Sequence, residues 1–300
     1  MSDEPRSVGA ALEKLADFFA TQQTRQGVLA RRLLGRPAPG DADLTLRLQR
    51  QLAAQVGPDG SVPGGLAFTA FRLIELLELG CDEETPAVPR LTEWLLAQQE
   101  KPGAYGEGCI PTRHEQGACE HFLGGFLSPG PVMIRVAPVT FPNGKVFRVE
   151  PAARFALSCL GLRALAMTPA RNNAGVRKHL ISLARLKGAW VTWDGFFPPD
   201  LILTALAALG TAGDLERAAT ATATAFVVAQ QVSDGGWPGA DRFVAIEALL
   251  TVGSPEAMAA VRRSLAGLVS RQRDDGTFGP VAQQERALIA LRGLLMGGGA

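Results

Sequence analysis

Within thirteen residues, Cys109, His114, Cys119 and His121 gather two of the four cysteines and two of the three histidines of this 300-residue chain. Thiolate and imidazole are zinc ligands, and four of them can close a tetrahedral site. Zinc is therefore the candidate cofactor, although Cys-x4-His-x4-Cys-x-His matches none of the established zinc spacings. Glu115 and Glu120 lie in the same stretch, and Glu107 just before it. A metal-free reading gives acid–base work to His114 or His121 with Glu120, and a third takes the set as polar loop residues with incidental cysteines. Asp200, in Pro198-Pro199-Asp200, is a further candidate acid if burial raises its pKa. It suits equally well the cap of a helix beginning at Leu201, and Asp241 has the same two readings. Phe68, Phe71, Phe122, Phe126, Phe155 and Phe243 could line an apolar substrate site. Arg148, with Arg135, Lys145 and Arg154, could meet an anionic group or simply be solvated.

These residues need a scaffold, and the chain declares one by repetition. Gln231-Val-Ser-Asp234-Gly235-Gly236-Trp237 and Gln272-Arg-Asp-Asp275-Gly276-Thr-Phe278 place their aromatics 41 residues apart, and Phe197 precedes Trp237 by 40. Gln55…Asp59-Gly60-Ser-Val62, Gln99…Gly103-Ala-Tyr105 and a weaker Gln23…Gly27-Val-Leu29 fit the same frame. In such a turn Asp accepts backbone hydrogen bonds, Gly supplies a positive φ and the aromatic plugs the space between hairpins. Packing is its business, not chemistry.

Helices are predicted before each turn, at about 7–22, 41–56, 86–99, 173–187, 213–230 and 256–272. Others follow the turns, at about 64–79, 151–167, 199–210, 240–252 and 282–296, with a weak one near 28–35. The first set carries charges on one face and suits an outer layer. Leu201 to Gly210 is apolar nearly all round and suits an inner helix, its small residues admitting close neighbours. The period breaks at residues 102–150, an insertion that holds the Cys/His loop and, around Asn143-Gly144, an alternating segment from Val132 to Val149 read as a β-hairpin with a primed turn. A hairpin placed before an inner helix would be a lid, a wall or an oligomer contact.

With its Gln231…Gly235-Gly236-Trp237 turn the sequence resembles the terpenoid cyclase and protein prenyltransferase superfamily, the turn being similar to the QW repeat of squalene–hopene cyclases. The resemblance implies an all-α (α/α)6 toroid of about six helical hairpins, one domain over residues 1–300, with the active site in a cavity at one end of the inner ring. It implies a cyclase-type enzyme acting on a small apolar, isoprenoid-type molecule by acid-initiated cyclisation or isomerisation, with Asp200 or Glu120 as acid. The alternative is a non-catalytic toroid that binds a small molecule or protein partner and holds a structural metal in the 109–121 loop. The Asp-x-Asp-Asp acid motif of class II cyclases is absent, and the prenyltransferase zinc set does not transfer, because no cysteine follows Cys159. Fold analogy alone cannot choose among the chemistries such toroids host.

Composition narrows the partners. A net charge of +1 and no long basic run leave no electrostatic case for nucleic acid. Aromatics make up 6% of residues, too few to line the cavity of a large polyene cyclase, so a small apolar molecule and a peripheral membrane contact are the expected partners. No stretch reaches the roughly 18–20 apolar residues needed to span a bilayer. Met1-Ser-Asp-Glu-Pro-Arg is not the basic start of a secretory signal, so reduced thiols in a cytoplasm are expected.

Overall fold

The computed structural model describes residues 7–99, 136–186 and 189–298. It is mostly helical, with twelve α-helices among the described residues and one two-stranded sheet. The helices are α1 (Val8–Ala20), α2 (Arg25–Leu33), α3 (Asp41–Ala53), α4 (Leu66–Glu78), α5 (Ala87–Ala97) and α6 (Glu150–Ala166). They continue with α7 (Ala174–Ala184), α8 (Pro199–Thr211), α9 (Arg217–Ala229), α10 (Arg242–Val252), α11 (Pro255–Val269) and α12 (Gln283–Gly298). Each odd-numbered helix packs against the even-numbered one that follows it. The weak prediction near 28–35 is thus a full helix, α2, started by the Thr24 hydroxyl, which accepts from the Gly27 N–H at 3.2 Å.

Burial separates the two sets. On α1 the buried positions are Ala11, Leu15 and Phe19, a stripe at helical spacing on an otherwise solvated cylinder. On α8 every residue from Pro199 to Leu209 is buried, the polar Asp200 and Thr204 included. Gly210 of α8 explains the need for small residues: a Cβ there would lie 2.9 Å from the Val252 backbone nitrogen. The even-numbered helices touch in succession, α4 with α6, α6 with α8, α8 with α10, and α10 with α12. Then α12 packs on α2, and α11 on α1, so the last hairpin meets the first.

The repeated turn does the joining. Gln231 Nε2 donates to Gly235 O at 3.0 Å within its own turn and to Ala260 O of α11 at 2.9 Å. Trp237 is buried, and its indole N–H donates to Val227 O at 2.9 Å. Gln272 repeats the arrangement one hairpin later, donating to Gly276 O at 3.4 Å and to Ala11 O of α1 at 3.1 Å. Asp59, Asp234 and Asp275 each accept the N–H two residues on, at 3.0, 2.8 and 2.9 Å. Gln272 therefore stitches the end of the chain to its beginning. Gln272→Ala removes a donor to two buried carbonyls and is expected to cost about 1–3 kcal/mol, read by urea denaturation. A loss below about 0.5 kcal/mol would show that the stitch is dispensable.

The sheet pairs Val139–Thr140 with Val146–Phe147, antiparallel, with Val139 opposite Phe147 and Thr140 opposite Val146. The hairpin is real, but its turn is not the primed type expected. Gly144 N–H donates to Phe141 O at 2.8 Å, which puts Pro142 and Asn143 at the centre of the turn, with Gly144 following at φ +84°. Proline fixes φ near −65° and cannot take the positive φ that a primed turn demands. Asn143 Oδ1 accepts from Lys145 N–H at 3.0 Å, which is the Asp-Gly repeat turn over again.

Candidate functional site

All six even-numbered helices and the tip of the hairpin line one chamber. Its wall is divided. Phe71, Ile74, Phe141, Leu160, Leu203 and Val244 make an apolar part, supplied by α4, α6, α8, α10 and the hairpin. Arg25, Glu75, Glu78, Glu285 and Arg292 make a charged part on α2, α4 and α12, and Arg163 and Glu247 face each other from α6 and α10. Pockets that combine apolar walls with a few convergent polar groups are where small molecules bind.

The charges form a network. Arg25 sits at the start of α2 and pairs with Glu78 and Glu285, with Glu75 at 3.6 Å. Arg292 donates to the other Glu78 oxygen at 3.0 Å, and Arg72 holds Glu75 at 2.9 Å. Arg163 donates to Glu247 Oε1 at 2.6 Å, while Asn143 Nδ2 donates to Glu247 Oε2 at 3.1 Å. Two of the chamber carboxyls, Glu285 and Glu247, respond differently to burial. Burial pushes the Glu285 carboxyl above its ordinary value; Arg25 and a hydrogen bond from Gln26 oppose this, and Glu78 and Glu247 add to it. At Glu247 burial acts in the same sense but is outweighed by Arg163 together with Asn143 and Arg292, which hold that carboxyl below its ordinary value. Two carboxylates with pKa values pushed apart are the usual mark of divided acid–base roles.

A second network pins the hairpin over the chamber. Lys145 pairs with the buried Asp200 near the start of α8. The other Asp200 oxygen accepts from Asp241 N–H at 2.8 Å. Asp241 caps α10 through Phe243 N–H at 2.9 Å and holds Arg286 of α12 at 2.6 Å. Arg286 closes the circuit by donating to Asn143 O at 2.9 Å, with its guanidinium 4.8 Å from the centre of the Phe243 ring.

This changes the roles read from sequence. Asp200 neither lines the chamber nor caps its own helix, whose N-cap is Pro198; it anchors the hairpin and the neighbouring helix. Asp241 is the cap that its position suggested. Phe155 is fully buried against Phe197, with ring centres 5.2 Å apart, and belongs to the core between helices. Phe68 is 56% exposed and outside the chamber, while Phe71, one turn on, lines it. Arg148 is exposed, Arg154 donates to Glu150 at 2.7 Å and Lys145 serves Asp200, so none of the three lines the chamber. Cys109, His114, Cys119, Glu120, His121, Phe122, Phe126 and Arg135 lie outside the described residues. Among the described residues no cluster of three or more His, Cys, Asp or Glu side chains could hold a metal ion, and no helix is long and apolar enough to cross a membrane.

No protein-family profile matches the chain, and no curated protein matches it. Solved structures do. One is the crystal structure of a protein from Actinoplanes, with a TM-score of 0.59 and 15% identity, covering 97% of this chain and 100% of that one. At that identity the likeness shows the fold alone.

Proposed function

We propose that the chain is an (α/α)6 toroid of the terpenoid-cyclase type, and that its central chamber takes a small, mainly apolar, isoprenoid-type molecule for acid-initiated cyclisation or isomerisation. One observation carries the reading: a single chamber reached by all six even-numbered helices, apolar on one side, with a carboxyl of raised pKa on the other. Glu285, not Asp200, is the acid. Its Oε2 takes the bonds from Arg25 and Gln26, so the proton sits on Oε1. It passes to one carbon of an alkene; a second double bond of the same molecule attacks the resulting cation and forms a ring C–C bond. Loss of a proton from a neighbouring carbon to a chamber carboxylate leaves an isomer of the starting material. Phe71 and Phe141, both in the chamber wall, are the aromatic rings available to stabilise the developing charge.

The test is incubation with ten- and fifteen-carbon isoprenoid alcohols and analysis for isomeric cyclic products by gas chromatography. Glu285→Gln should lower the rate at least about 100-fold. An acid must hold its proton to act, so the wild-type rate should fall as pH rises through the elevated Glu285 value. A wild-type protein that converts none of these alcohols sinks the enzymatic reading. A second reading is then favoured by the charge network, in which each chamber arginine already has a carboxylate partner: a non-catalytic toroid that binds its molecule intact, with a structural metal in the 109–121 loop.

A further inference from the structure

The hairpin enters the chamber instead of merely covering it. Phe141, Pro142 and Asn143 all line the chamber, and Asn143 is only 5% exposed although it sits at the tip of a turn. The Phe141 ring meets Phe71 edge-on with centres 5.5 Å apart, and Phe147 supports it from behind at 5.1 Å. The tip therefore supplies part of the apolar wall through Phe141 and touches the polar wall through the Asn143 bond to Glu247. Beyond the tip, Gly144 fits against Val281, where a Cβ would come within 2.5 Å of the valine side chain.

The tip is held by few bonds. Besides the Phe141 contact with Phe71 of α4, three polar contacts join it to the even-numbered helices: Lys145 to Asp200, Asn143 Nδ2 to Glu247, and Arg286 to Asn143 O. All three polar contacts radiate from residues 143 to 145. The hairpin ladder itself is two residues long on each side, and isolated two-stranded hairpins are marginal in water. The tip belongs to no helix, so its place in the chamber rests on these polar contacts and on the burial of Phe141 and Phe147.

We propose that this hairpin tip is the specificity-determining stopper of the chamber: Phe141 sets how long an apolar molecule can fit, and the Lys145–Asp200 pair sets how fast it enters and leaves. The proposal rests on the chamber being a binding site. The ligand class it implies is a compact alcohol or similar molecule, with its apolar body against Phe71, Phe141, Leu203 and Val244 and a hydrogen-bonding head toward Glu247.

Calorimetric titration with straight-chain 1-alcohols of six to twelve carbons provides the test, using the wild type, Phe141→Ala and Phe68→Ala. Phe68 is exposed outside the chamber and serves as the control. The wild type should prefer one length. Phe141→Ala should shift the preference to longer alcohols, gaining about fourfold in affinity for each added methylene that the vacated space buries, while Phe68→Ala leaves it unchanged. For the clamp, Lys145→Met with Asp200→Asn removes both charges together, so that no buried carboxylate is stranded. Stopped-flow association and dissociation rates should both rise at least tenfold while the equilibrium constant stays within about threefold, and circular dichroism checks that the helices persist. If the wild type binds none of the alcohols, the chamber reading fails. If it binds them and neither preference nor rates move in the variants, the chamber stands and the stopper is refuted.

Discussion

Replacing Arg25 with methionine should lower the unfolding free energy by about 3–5 kcal/mol, the range seen when one partner of a buried ion network is removed. Arg25 is 7% exposed and faces Glu75, Glu78 and Glu285 at once. Methionine matches the apolar stem but leaves Glu285 with no cation of its own, whereas Glu75 keeps Arg72 and Glu78 keeps Arg292. The sign of the pH dependence follows. Stranded carboxylates are tolerated once protonated, so the deficit should shrink as pH falls toward 4 and be largest near neutrality. Guanidinium denaturation at pH 4.5 and pH 7 measures both values. A deficit that is equal at the two pH values would mean that Arg25 acts through packing rather than charge. A second substitution, Glu285→Gln in the Arg25→Met background, should restore part of the neutral-pH loss, because the group that has lost its cation is then neutral.

Gly235→Ala is the other large effect. The residue has φ +74°, and a Cβ there would lie 2.3 Å from the Arg263 carbonyl oxygen on α11. The left-handed backbone alone costs a residue with a Cβ about 1–2 kcal/mol. The clash adds about 1–3 kcal/mol as the hairpins are pushed apart. Gly253 separates the two costs: it has φ +66° at the end of α10, and the nearest atom to its Cβ is at 3.8 Å. Gly253→Ala should therefore lose only the backbone part, and the difference in melting temperature between the two variants reports the contact. Equal losses would show that the repeat glycine is kept for its φ and not for the approach of the next helix.

The architecture was legible because its signals are periodic. The full Gln, Asp-Gly and aromatic set marks the turns at Gln231 and Gln272, partial copies recur in the same frame, and the apolar run at Leu201 to Gly210 marks the buried set. The chamber was harder to read. Its charged residues look ordinary one at a time: Glu75 and Glu78 in Leu-Ile-Glu-Leu-Leu-Glu-Leu, Arg163 in Leu-Gly-Leu-Arg-Ala-Leu, and Glu247 in Ala-Ile-Glu-Ala-Leu-Leu. A charge inside an apolar helix already assigned to the inner set was the available signal, and it points to a partner on a neighbouring helix. Pairing is what sequence spacing hides, since Arg25 and Glu285 are 260 residues apart. Asp200 misled for the opposite reason. A carboxylate beside a proline at a helix start is locally a cap or an acid, and only the return of Lys145 on the hairpin turns it into an anchor. The turn type shows a local conflict: Asn143-Gly144 invites a primed turn, but the chain turns one residue earlier, at Pro142-Asn143, where proline cannot take a positive φ.

The stitch from Gln272 to Ala11 has a consequence for how the protein is made. On a ribosome the residues of α2 emerge long before those of α12, and at about 5–20 residues per second the 260 residues from Arg25 to Glu285 take roughly 13–50 s to appear. Throughout that interval α1 lacks the neighbour that covers Ala11, and Arg25 lacks one of its three carboxylates. The first hairpin is thus the last to be completed, and its apolar stripe is the surface that a chaperone would meet on the nascent chain.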